Sequence, residues 1–336
     1  MKKNISKPKT ILLCDSPENI ARVYGEGRLA RLKTLADVND KVISKSDFDH
    51  MLPLVKDSEY IFSTWGMPVL TPIQIKHMKK LKAVFFAAGS VKYFAEPFLK
   101  AGIKVVSAWS QNAVPTADFA FAQVILSCKG YFRNSRDYRE SKTGVWSIVK
   151  QGIYGTKVGI IGAGQVGRRL MEMLGRHGVE ICISDPFLTA KQARQLGARK
   201  TSLKQMFKEC HIISNHMPDI KETKGILVKA LFASMQKNAT FINTGRGAQV
   251  KENDLISVLK KRKDLTALLD VTFPEPPDKS SELFSLPNVI VSPHIAGAYG
   301  KEQLQLADYV MDEFEDMLNG KPLKNEIKAA MLKNMG

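Results

Sequence analysis

Residues 157–170 read KVGIIGAGQVGRRL. An apolar run is followed by Gly-x-Gly-x-x-Gly (Gly162, Gly164 and Gly167) and then by an amphipathic run. This order predicts a strand, a tight turn and a helix. Gly162 permits the turn, Gly164 lets a pyrophosphate approach the backbone, and Gly167 allows the helix to pack closely on the strand. The helix N-terminus then offers free N–H groups and a partial positive charge to phosphates.

An acidic residue follows at the end of the next predicted strand. Residues 179–183 are largely apolar and lead into Ser184-Asp185-Pro186. The acid that binds the adenosine ribose stands about 20 residues past such a glycine turn, and Asp185 is close to that spacing. A carboxylate there accepts from a 2′-hydroxyl and repels a 2′-phosphate, which predicts NAD rather than NADP. A helix cap or a turn acid is the alternative interpretation of Asp185.

Short apolar runs recur along the chain, separated by stretches of helix length. Runs without polar alternation indicate parallel strands that are covered on both faces. Four runs precede residue 110 and six follow Gly155: 11–14, 60–63, 83–86, 104–107, 158–161, 179–183, 211–214, 239–242, 265–269 and 289–291. The chain is therefore predicted to be α/β, with two doubly wound parallel sheets.

Two predicted helices set the domain plan. One begins at Pro115 and runs to Leu126, between the two groups of strands. The other, Glu302 to Leu318, is amphipathic and is expected to fold back onto the first domain. Its apolar face is predicted to comprise Leu304, Ala307, Val310, Met311, Phe314, Met317 and Leu318. The prediction is a Rossmann dinucleotide-binding domain at 118–299, inserted in a flavodoxin-like substrate domain made of 1–117 and 300–336.

Composition limits the class of protein. The chain has 336 residues, of which 44% are apolar, which suits two globular domains. No apolar run approaches the roughly 18 residues of a membrane span, and the basic start has no apolar run of signal-peptide length. The cysteines (Cys14, Cys128, Cys182 and Cys210) are scattered, which favours buried reduced thiols and a cytoplasmic location.

The chain is strongly basic. Its 50 Lys and Arg residues against 33 Asp and Glu give a formal net charge of +17. These cations are spread along the chain without a long block or interleaved aromatic residues, so neither nucleic acid nor a membrane is the expected partner. Steering of an anionic substrate is a milder interpretation of the same charge.

Three polar side chains follow the ends of later predicted strands: Arg246, Glu275 and His294. Carboxyl ends of parallel strands lie at one edge of a sheet, so all three should face the glycine turn. Arg246 offers a planar fork of donors for a carboxylate, His294 can give a proton to a forming alkoxide, and a paired Glu275 favours the imidazolium. Taken singly, Arg246 is more often a surface or phosphate-contacting residue, His294 is as often a structural histidine, and Glu275 is more often a solvated acid. Their order and shared location after the glycine turn favour the functional interpretation.

Further motifs complete the pattern. Beside the glycine turn and Asp185, the chain contains His216-Met217-Pro218 with Thr223, Asn243-Thr244-Gly245-Arg246-Gly247, Asp270 with Glu275, and Pro293-His294. Together these motifs resemble the D-isomer-specific 2-hydroxyacid dehydrogenase family over nearly the whole length of the chain. The resemblance implies hydride transfer between NAD and a small 2-hydroxy or 2-keto acid, by a homodimer whose two domains close on the cofactor.

The resemblance also implies roles for individual residues. Arg246, Glu275 and His294 would be the catalytic residues, and no metal is expected. Ala88 and Gly89 would hold the substrate carboxylate through backbone N–H groups, together with Asn112 and Arg246. The implied cofactor contacts are Gly162, Gly164, Gln165, Val166, Gly167, Asp185, His216, Pro218, Thr223, Thr244, Gly245, Asp270 and Gly297.

Two questions stay open at this point. Ser90-Val91-Lys92 and Tyr299 depart from the family pattern, so the particular hydroxy acid is not predicted. The formate dehydrogenase branch is disfavoured, because it pairs its histidine with glutamine and position 275 is glutamate. The alternative from another class is an NAD-sensing, corepressor-like binding protein without metabolic turnover. The intact Arg246, Glu275 and His294 argue against that alternative.

Overall fold

The computed structural model describes residues 7–142, 149, 151–333 and 335. The described residues divide into two compact units: the first extends to Ala113 and resumes at Ala298, and the second comprises Val114–Gly297. The predicted boundaries at 117/118 and 299/300 lie a few residues from these. The first six residues, part of the basic start considered above, lie outside the described residues.

Helices of very different length connect the strands. In chain order they are α1 (Pro17–Val23), α2 (Arg28–Leu35), α3 (Leu52–Val55), α4 (Pro72–His77), α5 (Ala95–Lys100), α6 (Trp109–Cys128), α7 (Tyr131–Ser141), α8 (Gln165–Leu174), α9 (Ala190–Gln195), α10 (Leu203–Glu209), α11 (Lys229–Ala233), α12 (Glu252–Lys261) and α13 (Glu302–Leu318). In the part of the chain that is described, no helix combines the length and apolar character needed to cross a bilayer.

The first unit contains a five-stranded parallel sheet. Its strands are β1 (Lys9–Leu13), β2 (Asp37–Ile43), β3 (Tyr60–Ser63), β4 (Ala83–Phe86) and β5 (Lys104–Ser107), in the order β2-β1-β3-β4-β5. This flavodoxin-like order confirms the predicted fold class. The prediction of four strands was wrong by one. β2 lies at the sheet edge with charged, exposed residues, so it lacks the apolar run by which strands were recognised.

The helix α13 covers one face of this sheet. Phe314 packs edge-on against Tyr60, Phe62 and Phe85, with ring centroids 4.9–5.2 Å apart. Such aromatic pairs add to the stability that burial of the rings already contributes. The predicted return of the C-terminal helix to the first domain is confirmed. Leu318 was wrongly included in its buried face, because its side chain is 40% exposed at the last turn.

The second unit contains a seven-stranded parallel sheet. Its strands are β6 (Lys157–Ile161), β7 (Glu180–Ser184), β8 (Ala198–Lys200), β9 (Ile212–Asn215), β10 (Thr240–Asn243), β11 (Thr266–Leu269) and β12 (Val289–Val291), in the order β12-β11-β10-β9-β6-β7-β8. The six predicted strands are present, and β8 is an additional short edge strand. The strand order reverses between β6 and β9, the position at which such sheets bind ligands.

The helix α6 begins earlier than the sequence predicts. The prediction placed its start at Pro115, whereas the helix starts at Trp109 and contains Pro115 in its interior. The side-chain oxygen of Ser107 accepts the backbone N–H of Trp109 at 3.2 Å and so satisfies a donor at the helix start. This hydroxyl cap, which the sequence analysis did not consider, places the start before the proline.

Candidate active site

The glycine turn after β6 has the geometry that its sequence predicts. Gly162 has φ = +91°, and a Cβ there would lie 2.8 Å from the carbonyl oxygen of His216. A Cβ on Gly167 would lie 2.0 Å from the carbonyl oxygen of Gly162. A Cβ on Gly164, in contrast, would meet no atom within 4 Å. The turn therefore needs glycine at positions 162 and 167 for its own packing, and it leaves open space at Gly164, where a phosphate is expected.

Asp185 links the end of β7 to this turn. Its Oδ2 accepts the backbone N–H of Ala163 at 2.7 Å, and its Oδ1 accepts that of Phe187 at 2.8 Å. The carboxylate is thereby held beside the glycine turn, where the ribose-binding acid is expected. A carboxylate can accept about four hydrogen bonds, so these two leave capacity for ribose hydroxyls. The ribose contact itself stays a prediction.

Arg246 stands in a buried polar network that the sequence analysis missed. The Asn243 side chain donates to the Arg246 carbonyl at 3.2 Å, and the Gln249 side-chain oxygen accepts the Arg246 N–H at 3.2 Å. Asn215 Nδ2 donates to the side-chain oxygens of Asn243 and Gln249, at 2.9 and 2.5 Å. The signal in the sequence was the pair of asparagines that end the neighbouring strands β9 and β10, where they are partners in register. The network fixes the backbone from which the guanidinium extends.

The Arg246 loop packs directly on the segment that leads to Glu275. A Cβ on Gly247 would lie 1.9 Å from the backbone carbon of Thr272. No side chain fits there, so the two backbones are in direct contact. This close packing places the Arg246 loop next to the segment that carries Asp270 at its start and Glu275 at its end.

Asp270 holds the loop of His294. Its carboxylate is buried, with the residue 2% exposed, and it accepts from Ser292 Oγ at 2.6 Å and from the N–H groups of Ile295 and Ala296 at 3.0 and 2.8 Å. The Asp270 carbonyl accepts the His294 N–H at 3.0 Å. These bonds hold His294 at φ = +54°, a left-handed conformation that few non-glycine residues adopt. Asp270 therefore positions the histidine loop, and its contact with the nicotinamide stays a prediction.

His294 and Glu275 form the predicted pair. Glu275 Oε1 contacts the Nδ1 atom of the imidazole, and the two side chains are 47% and 39% exposed. A carboxylate at Nδ1 orients the ring. The other ring nitrogen, Nε2, is then the atom that can exchange a proton with a substrate. This arrangement is that of a general acid–base with an orienting partner.

His216 has a different environment. Its Nε2 lies 2.9 Å from Ser214 Oγ, and its Nδ1 lies 3.0 Å from Thr244 Oγ1. Burial lowers the pKa of His216 to about 3, so the imidazole is neutral near pH 7. The ring of His216 is therefore neutral and bonded at both nitrogens, and the predicted cofactor contacts of His216 and Thr244 stay predictions.

Hydrogen bonds to the Pro218 carbonyl hold the remaining cofactor candidates of the 216–223 segment at the carboxyl edge of the second sheet. Thr223 Oγ1 donates to the Pro218 carbonyl at 2.7 Å, and Gln249 Nε2 donates to that carbonyl at 2.9 Å. Gln165 and Val166 begin α8, Gly245 precedes Arg246, and Gly297 ends the unit. Their predicted contacts with a cofactor remain predictions.

The candidate substrate residues of the first unit lie together. Ser107 Oγ donates to the carbonyls of Ala88 and Gly89 at 2.9 and 2.6 Å. A Cβ on Gly89 would lie 3.2 Å from Asn112 Nδ2, and Asn112 Oδ1 accepts the N–H of Ala298 at 3.1 Å. The loop after β4 is therefore held by its carbonyls. Their predicted contact with a carboxylate stays a prediction.

Comparison with known proteins identifies what this arrangement resembles. Residues 121–296 match the family model described as D-isomer specific 2-hydroxyacid dehydrogenase, NAD binding domain. The glyoxylate reductase of Thermococcus litoralis is 31% identical over 245 residues, which cover 70% of this chain and 73% of the reductase. The D-3-phosphoglycerate dehydrogenase of Archaeoglobus fulgidus is 29% identical over 226 residues, which cover 67% of this chain but only 43% of that enzyme.

A solved structure shows the same fold. The phosphoglycerate oxidoreductase of Rhizobium etli superposes with a TM-score of 0.79 at 20% sequence identity. The match covers 97% of this chain and 100% of that one. The two-sheet architecture described above is therefore shared over almost the whole length of both chains.

Proposed function

The chain belongs to the D-isomer specific 2-hydroxyacid dehydrogenase family, and from this premise we propose that it is an NAD-dependent oxidoreductase that interconverts a small 2-hydroxy acid and its 2-keto acid. The observation that carries the proposal is the contact between Glu275 and His294, whose loop is held by Asp270. Arg246 follows on the neighbouring loop, whose Gly247 packs against Thr272.

The glycine turn fits a dinucleotide. Gly164 borders open space, and α8 begins at the next residue, so its free N–H groups lie at the turn. Gly164 and the start of α8 would face the pyrophosphate, in a turn whose close packing needs Gly162 and Gly167, and Asp185 would face the adenosine ribose. When bound there, the reduced nicotinamide supplies the hydride. A carboxylate at position 185 disfavours a 2′-phosphate, which supports NADH over NADPH as the donor.

Three side chains perform the remaining chemistry in the proposed mechanism. The Arg246 guanidinium binds the substrate carboxylate through two parallel hydrogen bonds and so fixes the carbonyl carbon. Protonated His294 donates its Nε2 proton to the carbonyl oxygen as negative charge develops there. Glu275 contacts Nδ1 and holds the ring in orientation. In the oxidation direction, neutral His294 accepts the hydroxyl proton at the same atom.

The proposal is limited to a class of substrates. The two relatives named above carry names that refer to different substrates: phosphoglycerate, which is a hydroxy acid, and glyoxylate, which is an oxo acid. Assembly and compartment are also proposals: a homodimer in a reducing cytoplasm, with neither nucleic acid nor membrane as a partner. The four cysteines are free and buried, which agrees with a reducing compartment. Light scattering of the purified protein tests the dimer.

The test is a steady-state assay of NADH oxidation with glyoxylate, pyruvate, hydroxypyruvate and 2-ketoisocaproate. We expect turnover with at least one of these acids and a higher kcat/KM with NADH than with NADPH. A preference for NADPH contradicts the role of Asp185. Binding of NADH without turnover on any keto acid favours the corepressor-like sensor instead.

A further inference from the structure

The second unit contains a cluster of reactive side chains that the proposed mechanism does not use. Cys182 lies in the middle of β7, Glu209 ends α10, and Cys210 follows it. The two sulfurs and a carboxylate oxygen of Glu209 lie within 4.8 Å of one another. Both cysteines are buried, at 1% and 0% exposure. The two thiols are therefore neighbours across elements that are distant in sequence.

A glycine makes this approach possible. Gly159 on β6 is the register partner of Cys182 on β7. A Cβ at Gly159 would lie 3.3 Å from Cys210 Sγ and 2.5 Å from Met206 Cγ. Since no side chain projects from position 159, Cys210 can lie close to the sheet beside Cys182. The packing of β6 against α10 thus holds the two sulfurs together.

The charges around the pair distinguish the two thiols. Arg199 on β8 donates from Nη2 to Cys182 Sγ at 3.2 Å and also forms an ion pair with Glu209. The pKa of Cys182 is lowered, chiefly by a hydrogen bond from Cys210 and also by the charge of Arg199. Burial and Glu209 act in the opposite direction. Glu209 accepts a hydrogen bond from the Cys182 thiol at 3.6 Å. The hydrogen bond between the two cysteines and burial raise the pKa of Cys210. Cys182 is therefore the better nucleophile, and Cys210 retains its proton.

We propose that Cys182 and Cys210 form an oxidisable dithiol, which hydroperoxides convert to a disulfide within the second unit. The Cys182 thiolate attacks one peroxide oxygen, the O–O bond breaks, and hydroxide leaves, which forms a sulfenic acid. Cys210 loses its proton, and its sulfur attacks the sulfenic sulfur. The S–O bond breaks, a water molecule leaves, and the S–S bond forms. The two thiols lose two electrons in total, and hydrogen peroxide is reduced to two waters.

The cation at the cluster favours oxidation over metal binding. Two cysteines and a glutamate also suit a thiophilic divalent cation such as Zn²⁺. In this cluster, however, the Arg199 guanidinium already contacts both Cys182 and Glu209. A metal ion would have to displace that guanidinium and bear its repulsion, whereas the guanidinium stabilises the thiolate that peroxide chemistry requires.

The other two cysteines are internal controls. Cys14 donates to the carbonyls of Ser16 and Trp65, and burial raises its pKa. Burial raises the pKa of Cys128 to about 11. Both are buried like the pair, but both are held as thiols. A difference in oxidation between the pair and these two cysteines therefore reports on the cluster and not on burial.

The test is treatment of the reduced full-length chain with hydrogen peroxide, followed by timed alkylation and peptide mapping by mass spectrometry. We expect Cys182 and Cys210 to be lost together as one linked peptide, two hydrogens lighter and restored by dithiothreitol. Cys14 and Cys128 should be alkylated only after unfolding. Cys210→Ser should stop at a Cys182 sulfenic acid that dimedone traps.

Two matched variants test the role of the cation. Arg199→Met should slow the loss of the Cys182 thiol several-fold, whereas Arg194→Met, at an exposed arginine on α9, should not change it. Uniform oxidation of all four cysteines overturns the proposal. One tightly bound equivalent of Zn²⁺ that protects the pair also overturns it, in favour of a metal site. If Cys210→Ser fails to fold, the wild-type map and the arginine pair still decide. None of these readouts depends on turnover.

Discussion

The two sheets of this chain end in different ways at their carboxyl edges. Both sheets are parallel and doubly wound. In the first unit, short hydroxyl side chains at the carboxyl edge bind the turns that follow the strands. Thr64 Oγ1 donates to the Ala87 carbonyl at 2.9 Å, and Ser107 Oγ donates to the Ala88 carbonyl at 2.9 Å. These hydroxyls bind only backbone of their own unit and hold the turns in place.

The second unit places ionisable groups at the corresponding positions. Asp270 is buried and anchors the loop of His294, and His294 forms a half-exposed pair with Glu275 of another segment. Two parallel sheets thus have different carboxyl edges: one holds its own turns, and the other carries the proposed acid–base pair. The difference between the edges lies in a few side chains at the strand ends, as is general where folds host functions.

The largest expected effect tests whether the second edge performs the chemistry. His294→Ala should lower kcat by about 10²–10⁴-fold, the usual contribution of a general acid–base group. NADH affinity, measured by fluorescence titration, should survive, because no contact between His294 and the cofactor is proposed. Arg246→Ala should instead lower kcat/KM mainly through substrate binding. A kcat close to that of the wild type for His294→Ala would mean that the proton donor is misassigned.

A pair of glycine variants separates structure from ligand binding at the second edge. Gly247→Ala should lower the free energy of unfolding by about 3 kcal/mol, because its Cβ would lie 1.9 Å from Thr272. Gly164→Ala should leave unfolding unchanged, since its Cβ meets no atom within 4 Å, but should weaken NADH binding. Urea denaturation and NADH titration measure the two effects. Equal destabilisation by both substitutions would contradict the packing described here.

The two anchoring side chains should differ in what they contribute to stability. Asp270→Asn replaces a buried carboxylate that accepts three hydrogen bonds, and should cost about 2 kcal/mol. Ser107→Ala removes neutral hydrogen bonds and should cost about 1 kcal/mol. Urea denaturation again gives both values. If Ser107→Ala proves the more destabilising, the contrast between the two edges is wrong.

Much of the fold and of the candidate site could be predicted from local sequence. The glycine turn, the strand ends and the helix Glu302–Leu318 each follow from a pattern within one short segment. The pairing of Glu275 with His294 followed from chemistry, because an acid and a histidine after neighbouring strands can meet. These features could be predicted because apolar periodicity and turn-forming residues can be recognised within one segment, without knowledge of its tertiary contacts.

Other features depend on contacts that local sequence does not show. The edge strands β2 and β8 are held by backbone pairing and have exposed side chains, so they lack an apolar run. The network of Asn215, Asn243 and Gln249 joins three segments, and its hydrogen bonds exist only once β9 and β10 are paired. The early start of α6 required a hydroxyl two residues before Trp109.

The last contrast lies within the second unit and concerns His216 and the pH dependence of stability. Burial lowers the pKa of His216 from 6.5 to about 3 in the folded chain. Between these values the unfolded chain takes up a proton that the folded chain excludes, so stability is lost as pH falls from 6.5 towards 3, by up to about 1.4 kcal/mol per pH unit.

Because His216→Gln also removes hydrogen bonds, the slopes of unfolding free energy against pH are compared, not the values at one pH. The slope should be shallower in His216→Gln, while His177→Gln, at an exposed histidine of the same unit, controls for removal of an imidazole. Equal slopes in the wild type and His216→Gln would show that His216 takes up its proton in the folded chain, which contradicts the effect of its burial.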